Sequence, residues 1–257
     1  MKKNLCLFLV IISTLFLISC SDTQKVQSDT TILVSAAASL KNCMENDLIP
    51  MFEQKNPNIK INATYDSSGK LQAQIEEGAD VDVFMSAAEK QMNALNEKGL
   101  IVENSIVPLL ENELVLIVPK GNENNIKDFD DMLNAEIIAV GDPESVPAGQ
   151  YAKELLENLD LWDEVSGKSS LGTNVTEVLN WVAEGSADTG IVYATDAASN
   201  DKVEVVSAAP EGSVSKVIYP VGIIKATTKL DPSKSFVEFL QTDDAKEIFA
   251  KYGFKPN

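Results

Sequence analysis

The residues best suited to chemistry in this chain are neutral ones. Ser39 follows Ala36-Ala37-Ala38 where an apolar strand gives way to a helix. Ser67 and Ser68 stand at the next such place, in Asp66-Ser67-Ser68-Gly69-Lys70-Leu71. Ala148, which ends Val140-Gly141-Asp142-Pro143-Glu144-Ser145-Val146-Pro147-Ala148, and Val175, after the polar stretch 169–174, mark two more helix starts. Tyr193 closes the apolar run Gly190-Ile191-Val192-Tyr193. A helix start carries unpaired backbone N–H groups and a partial positive charge, which together make an anion site. A serine or tyrosine beside it adds a hydroxyl donor. Each place also has an ordinary reading: serine caps its own helix, Ala148 and Val175 pack, and Tyr193 is a half-buried tyrosine. The repetition of the arrangement is what points to an anion.

Composition narrows the classes. The chain has 257 residues, enough for two domains of ordinary size, and is 44% hydrophobic and 23% charged, as a globular protein is. Its formal charge is -18 and it has no His; all 21 basic residues are Lys. That balance argues against a nucleic-acid partner, because phosphate backbones need a basic face. Without His, the commonest general base and metal ligand are missing.

The first residues read as an export signal. Lys2 and Lys3 precede an apolar run over 5–18, too short for a membrane span and of signal-peptide length. It ends in Leu17-Ile18-Ser19-Cys20, which resembles a bacterial lipobox, so residues 1–19 are expected to be removed and Cys20 to carry the lipid. Acyl chains there would hold the protein on the outer face of the cytoplasmic membrane. Losing Lys2 and Lys3 takes the formal charge from -18 to -20. Residues 20–29 read as a polar tether. Cys6 lies in the leader and Cys20 is the anchor, so Cys43 stands alone, a small buried hydrophobe with no disulfide partner.

The donors need elements to hold them. Strands are expected at 31–35, 59–65 and 81–85, with helices from Ser39 to about Gln54 (ended by Pro57), from Ser68 to Gly78, and over 88–96. This β-α-β-α-β order predicts a parallel sheet with helices on both faces. A second block follows: a strand at 114–118, a short helix at 126–133, and a strand at 137–140. The loop after it has Gly141, Pro143, Pro147 and Gly149 as turn residues, and leads into a helix carrying Tyr151, Leu155, Leu156 and Leu159 on one side. A polar loop at 169–174, a helix from Val175 to Gly185, the strand 190–193, late strands at 203–206 and 217–224, and a helical region at 232–249 complete it. The expected organisation is one lobe from 30–112 plus 218–257, a second from 113–217, and a cleft between them. Ligands in such sheets bind at the carboxyl ends of strands.

The segments around Ser39, Ser68, Ala148 and Tyr193, together with Lys251-Tyr252-Gly253-Phe254, resemble the periplasmic molybdate-binding proteins of ABC importers. The resemblance covers the chain beyond the tether, and the segment from Val140 to Gly149 is its most specific part. It implies an α/β, two-lobed periplasmic-binding-protein fold of type II, each lobe a mainly parallel sheet flanked by helices. It also implies a monomer without a cofactor that closes on molybdate or tungstate and passes it to an ABC permease. By motif, the ligand residues would be Ser39, Ser68, Ala148, Val175 and Tyr193, the alanine and valine through backbone N–H. The one metal implied is the molybdenum of the oxyanion. The family often has a third serine where this chain has Gly69, so a contact there would have to come from the backbone.

Other receptors and an enzyme are the competing readings. Another tetrahedral oxyanion, such as sulfate, is the nearer one. Ser67 and Lys70 have the S-x-x-K spacing of serine acyl-enzymes, but the partner triplets S-D-N and K-T-G are absent. Asp188-Thr189-Gly190 occurs once, whereas aspartic proteases need two carboxylates sharing a proton. No catalytic residue is expected.

Overall fold

The computed structural model describes residues 30–122 and 124–257. The leader, Cys20 and the tether lie outside the described residues.

β1 (Thr30–Ala37) buries Ile32, Val34, Ala36 and Ala37 and runs straight into a helical stretch. That stretch is a 3-10 turn at Ala38–Leu40, α1 (Lys41–Cys43), a π turn at Met44–Leu48, and α2 (Ile49–Lys55). The wide turn has a cause in the sequence. Pro50 has no N–H to return to the preceding turn, and its ring would press on the carbonyl of Asn46, so the helix widens there. The helix ends at Lys55 because Asn56, before Pro57, is forced out of the helical region. β2 (Ile59–Asp66), α3 (Ser68–Glu76), β3 (Val83–Met85), α4 (Glu89–Glu97) and β4 (Val107–Asn112) follow.

The chain then enters a second sheet through β5 (Leu114–Pro119), a 3-10 turn at Asp130–Asn134, β6 (Ile138–Gly141), α5 (Pro147–Asn158) and α6 (Trp162–Ser166). β7 (Ser169–Gly172), α7 (Val175–Ala183), β8 (Thr189–Tyr193), α8 (Ala194–Ala198) and β9 (Val203–Ala208) complete it. β10 (Val217–Ile223) returns to the first sheet, followed by α9 (Leu230–Phe239), α10 (Asp243–Lys251) and β11 (Lys255–Pro256).

The sheets are ordered β11-β4-β10-β3-β1-β2 and β7-β6-β8-β5-β9. In each, three adjacent strands are parallel: β2, β1 and β3 in one, β7, β6 and β8 in the other. Antiparallel partners join them, β10 against β3 and β5 against β8. Both sheets are therefore mixed, with the parallel strands along one side of each. The chain crosses between them twice, at Glu113 and over 209–216. Asp82, buried, fastens the return by accepting from Leu33 N–H (2.7 Å), the Thr227 hydroxyl and the Lys229 ammonium (3.0 Å).

Four local expectations change. Residues 169–172, expected as part of a polar loop, are the edge strand β7; an edge strand pairs on one side only and leaves Leu171 exposed, so its apolar signal is weak. The short helix at 126–133 is a 3-10 turn starting at Asp130. The last helical region is two helices, parted where the Thr242 side chain caps α10. Gly149, expected in a turn, lies inside α5. Its reason is close approach: a Cβ there would stand 2.0 Å from the Gly141 carbonyl oxygen. Cys43 is buried as expected, and burial pushes its thiol up to about 12.

Candidate functional site

The carboxyl ends of six strands face one small cavity. Ser39 follows β1, Ser67 and Ser68 follow β2, and Ala87 follows β3, all on the first sheet. Ala148 comes after β6, Val175 after β7, and Tyr193 is the last residue of β8, all on the second. The structure thus brings all five sequence-singled residues, 39, 68, 148, 175 and 193, to one place between the sheets. Only about 10 Å³ is open to the centre of a water-sized sphere. This is the scale of a single water position, which leaves no room for an organic substrate.

The local sequence builds each donor. Ala148 is the second residue of α5, behind Pro147, whose missing N–H costs nothing at a helix start. Val175 is the first residue of α7. Its helix start is fixed from below: Asn174 accepts from Glu177 N–H at 3.0 Å, and the Glu177 carboxylate accepts from Thr173 N–H at 2.6 Å. The backbone N–H groups of Ala148 and Val175 are among those a helix cannot satisfy internally, and both residues line the cavity.

The hydroxyls differ in what already holds them. Ser68 Oγ, wholly buried, accepts from Ala87 N–H at 2.9 Å, which leaves its own proton to donate. Ser39 Oγ lies 3.0 Å from the Tyr219 phenol. Ser67 precedes α3 but does not cap it, and its Oγ is buried without a partner. The Tyr193 hydroxyl is likewise buried without a partner. Burial pushes the Tyr193 phenol well above its ordinary range, so it is a neutral donor. An unpartnered buried donor costs about 1–3 kcal/mol, and two of them on one cavity call for an acceptor between them.

The lining carries one charged residue, Asp66, and it is engaged elsewhere. Its carboxylate accepts from Ser67 N–H (2.8 Å) and the Lys70 ammonium (3.3 Å). Lys70 therefore serves Asp66 and makes no hydrogen bond to Ser67, which separates the S-x-x-K pair. Among the described residues no cluster of His, Cys, Asp and Glu could hold a metal ion.

The two sides also touch each other directly. Gly69 N–H donates to the Ser145 carbonyl at 3.0 Å. A Cβ on Gly69 would lie 2.3 Å from that oxygen, so the approach needs glycine. The backbone contact expected to replace a third serine is thus committed to Ser145. The Gln91 amide donates to Gln150 Oε1 at 3.0 Å beside it. Ser145 cannot retreat freely, since Asp142 holds its hydroxyl at 3.0 Å and its N–H at 3.2 Å.

The sequence alone does not single out Ser67 over Ser68 as a ligand donor, nor does it mark Tyr219, Asn112, Gln91 or Gln150. A serine before a helix reads as its cap, and the other four act across distances of 59 to 180 residues, for which one sequence carries no signal. The Lys251-Tyr252-Gly253-Phe254 segment does find a reason. Lys251 and Tyr252 both donate to Asp47, at 2.9 and 2.7 Å, and Phe254 packs edge-on against Tyr219.

The model of the bacterial extracellular solute-binding proteins matches residues 32–255. The molybdate-binding protein ModA of Escherichia coli (strain K12) is 39% identical over 87% of this chain and 88% of its own. YvgL of Bacillus subtilis (strain 168), assigned as an ABC transporter substrate-binding lipoprotein, is 40% identical over 99% of both chains. A solved substrate-binding domain, assigned to a molybdenum ABC transporter of Clostridium difficile, superposes with a TM-score of 0.68 at 41% identity, covering 88% of this chain and 98% of that one. Such relatives bind solutes for transport and are not enzymes, in line with the absence of any expected catalytic residue. With the family model spanning both sheets and the cavity between them, the chain belongs to the bacterial extracellular solute-binding proteins.

Proposed function

We propose that this protein captures molybdate, and tungstate with it, and delivers the anion to an ABC permease. The observation that carries the reading is the convergence of neutral donors on one small cavity, with the Ser67 and Tyr193 hydroxyls buried there without acceptors. We assign Ser39, Ser68, Ala148, Val175 and Tyr193 as the ligand-binding residues. A chain of formal charge -18 cannot draw a dianion in by its overall field. It can hold one by short-range donors and helix starts, which add no counter-charge to be desolvated. The names of the Escherichia coli and Clostridium difficile relatives support molybdate as the ligand.

The lobes would be 30–112 plus 218–257 and 113–217, in keeping with the two sheets and the two crossings. The protein would act as a monomer tethered through lipid on Cys20, supported by the Leu17-Ile18-Ser19-Cys20 motif and by the lipoprotein assignment of the Bacillus relative. Intact-mass measurement of membrane-extracted protein checks this; an unlipidated, fully soluble wild type would refute it.

Calorimetry at neutral pH with molybdate, tungstate, sulfate and phosphate tests the function. Molybdate and sulfate share charge and shape, so size must separate them. An anion too small to reach donors on both sides leaves buried N–H groups stranded, at about 1–3 kcal/mol each. Two or three stranded donors separate the anions by several decades in Kd. Molybdate and tungstate should bind alike and sulfate far more weakly. Equal affinity for sulfate and molybdate would leave only a general oxyanion receptor.

A further inference from the structure

The Ser39 hydroxyl is not free to choose its own direction. Behind it stands a short chain of hydrogen bonds whose polarity is settled at the far end. Asn112 Oδ1 accepts from Glu113 N–H at 2.9 Å. That fixes the amide, so its nitrogen faces Thr195 Oγ1 at 2.9 Å and the Tyr219 hydroxyl at 3.3 Å. An amide nitrogen only donates, so the Tyr219 oxygen is the acceptor of that bond. The phenolic proton must then go elsewhere, and the partner in reach is Ser39 Oγ at 3.0 Å. The opposite polarity, with Ser39 donating to Tyr219, would strand the phenolic proton in the core, where Tyr219 is 1% exposed. Burial also pushes this phenol well above its ordinary range, so the proton is always there to give.

The strand geometry is adapted to aim this side chain. β10 lies between β3 and β4, and its register with β4 slips between Tyr219 and Pro220. A proline in an interior strand belongs at such a bulge, and a bulge re-aims the neighbouring side chain. The ring is then held edge-on between Tyr193 (5.6 Å) and Phe254 (5.4 Å).

We propose that Tyr219 is a specificity-determining positioning residue, which donates to Ser39 and so turns that serine's own proton toward the anion. Ala87 N–H does the same for Ser68. Two hydroxyls locked as donors suit a tetraoxyanion with no proton of its own. An anion that carries a proton, such as hydrogen phosphate, finds no acceptor for it in these two hydroxyls. This rests on the oxyanion-receptor reading above and adds to it the protonation state that the site selects and the residue that selects it.

The test is calorimetry at pH 7 with molybdate and with inorganic phosphate, on wild type, Tyr219→Phe, Ser39→Ala and the double variant. Tyr219→Phe keeps the ring between Tyr193 and Phe254. It should weaken molybdate binding roughly tenfold while phosphate binding is unchanged or stronger, because Ser39 can then turn its lone pair inward. In the Ser39→Ala background the same change should alter molybdate affinity less than about twofold, since no hydroxyl remains to be oriented. Asn112→Ala, which removes the donor that sets the polarity, should show the same dependence on Ser39 and serves if Tyr219→Phe folds poorly. An unchanged molybdate affinity in Tyr219→Phe overturns the proposal, as does an equal loss in both backgrounds, which would mean the phenol acts through packing. A wild type that binds no tetraoxyanion overturns the functional reading itself and this proposal with it; the wild-type titration alone identifies that case.

Discussion

At the scale of single residues, the site is a set of neutral donors, two of them held by neighbours and two without a partner. Tyr193 is the clearest. Its hydroxyl is buried, neutral and without a partner, so a charged acceptor gains a full hydrogen bond to it, about 1.5–3 kcal/mol. Tyr193→Phe should therefore weaken molybdate binding by roughly one to two decades in a calorimetric titration. Ala148→Gly should change it far less, because the proposed donor there is the backbone. Asp196 offers a prediction on the fold itself. Burial raises its carboxyl to about 7, and Oδ2 has no partner. In the unfolded chain it titrates near 3.8. Between those values the folded state binds the extra proton, so this group's stabilisation is full below the lower one and lost as pH rises through about 7. Asp47, Glu53, Glu76 and Asp188 are shifted down, so their effect falls at more acid pH. The melting temperature should therefore drop between pH 5 and 8, and Asp196→Asn should remove most of that slope. An equal slope in the variant would clear Asp196 of the effect.

At the scale of elements, the contact between the first turn of α3 and the turn before α5 governs how near the two sides come. Gly69 supplies both the N–H and the bare Cα for it. Its backbone angle is an ordinary helical one, outside the positive-φ set, so alanine suits the helix and gains about 0.5–1 kcal/mol there. Gly69→Ala should accordingly leave the ligand-free melting temperature unchanged or higher, yet weaken molybdate binding, because its Cβ meets the Ser145 carbonyl only when the sides are together. Opposite signs in the two measurements distinguish this from general destabilisation. Wild-type affinity in the variant would show that the Ser145 turn yields.

At the scale of the molecule, two sheets joined by two crossings can close like a hinge on what lies between them. The direct bonds from Gly69 to Ser145 and from Gln91 to Gln150 join the two sides and would have to break for them to part. Saturating molybdate should therefore make the protein more compact in small-angle scattering and raise its melting temperature. Superimposable profiles with and without the anion would count against closure.

Much of this was legible in the residues alone. The apolar runs and their turn residues placed β1, β2, β5, β6 and β8 and the helices beginning near Ser68, Ala148 and Val175, because each depends on a pattern within a dozen neighbours. The absence of His and Arg removed the commonest general base and the bidentate clamp for an anion. The edge strand β7 and the π turn were not legible, since one is shaped by a single neighbouring strand and the other by how a helix relieves a proline. Which serine is committed and which is orphaned was decided only by tertiary structure. Ser67 and Ser68 are adjacent and identical in type, and they part company because Ala87 N–H reaches one of them and not the other. In the same way Ser39 acquires its donor role from Tyr219 and Asn112, 180 and 73 residues away. A hydroxyl has no fixed polarity of its own; the neighbours that fill its acceptor side confer it, and only folding brings them there.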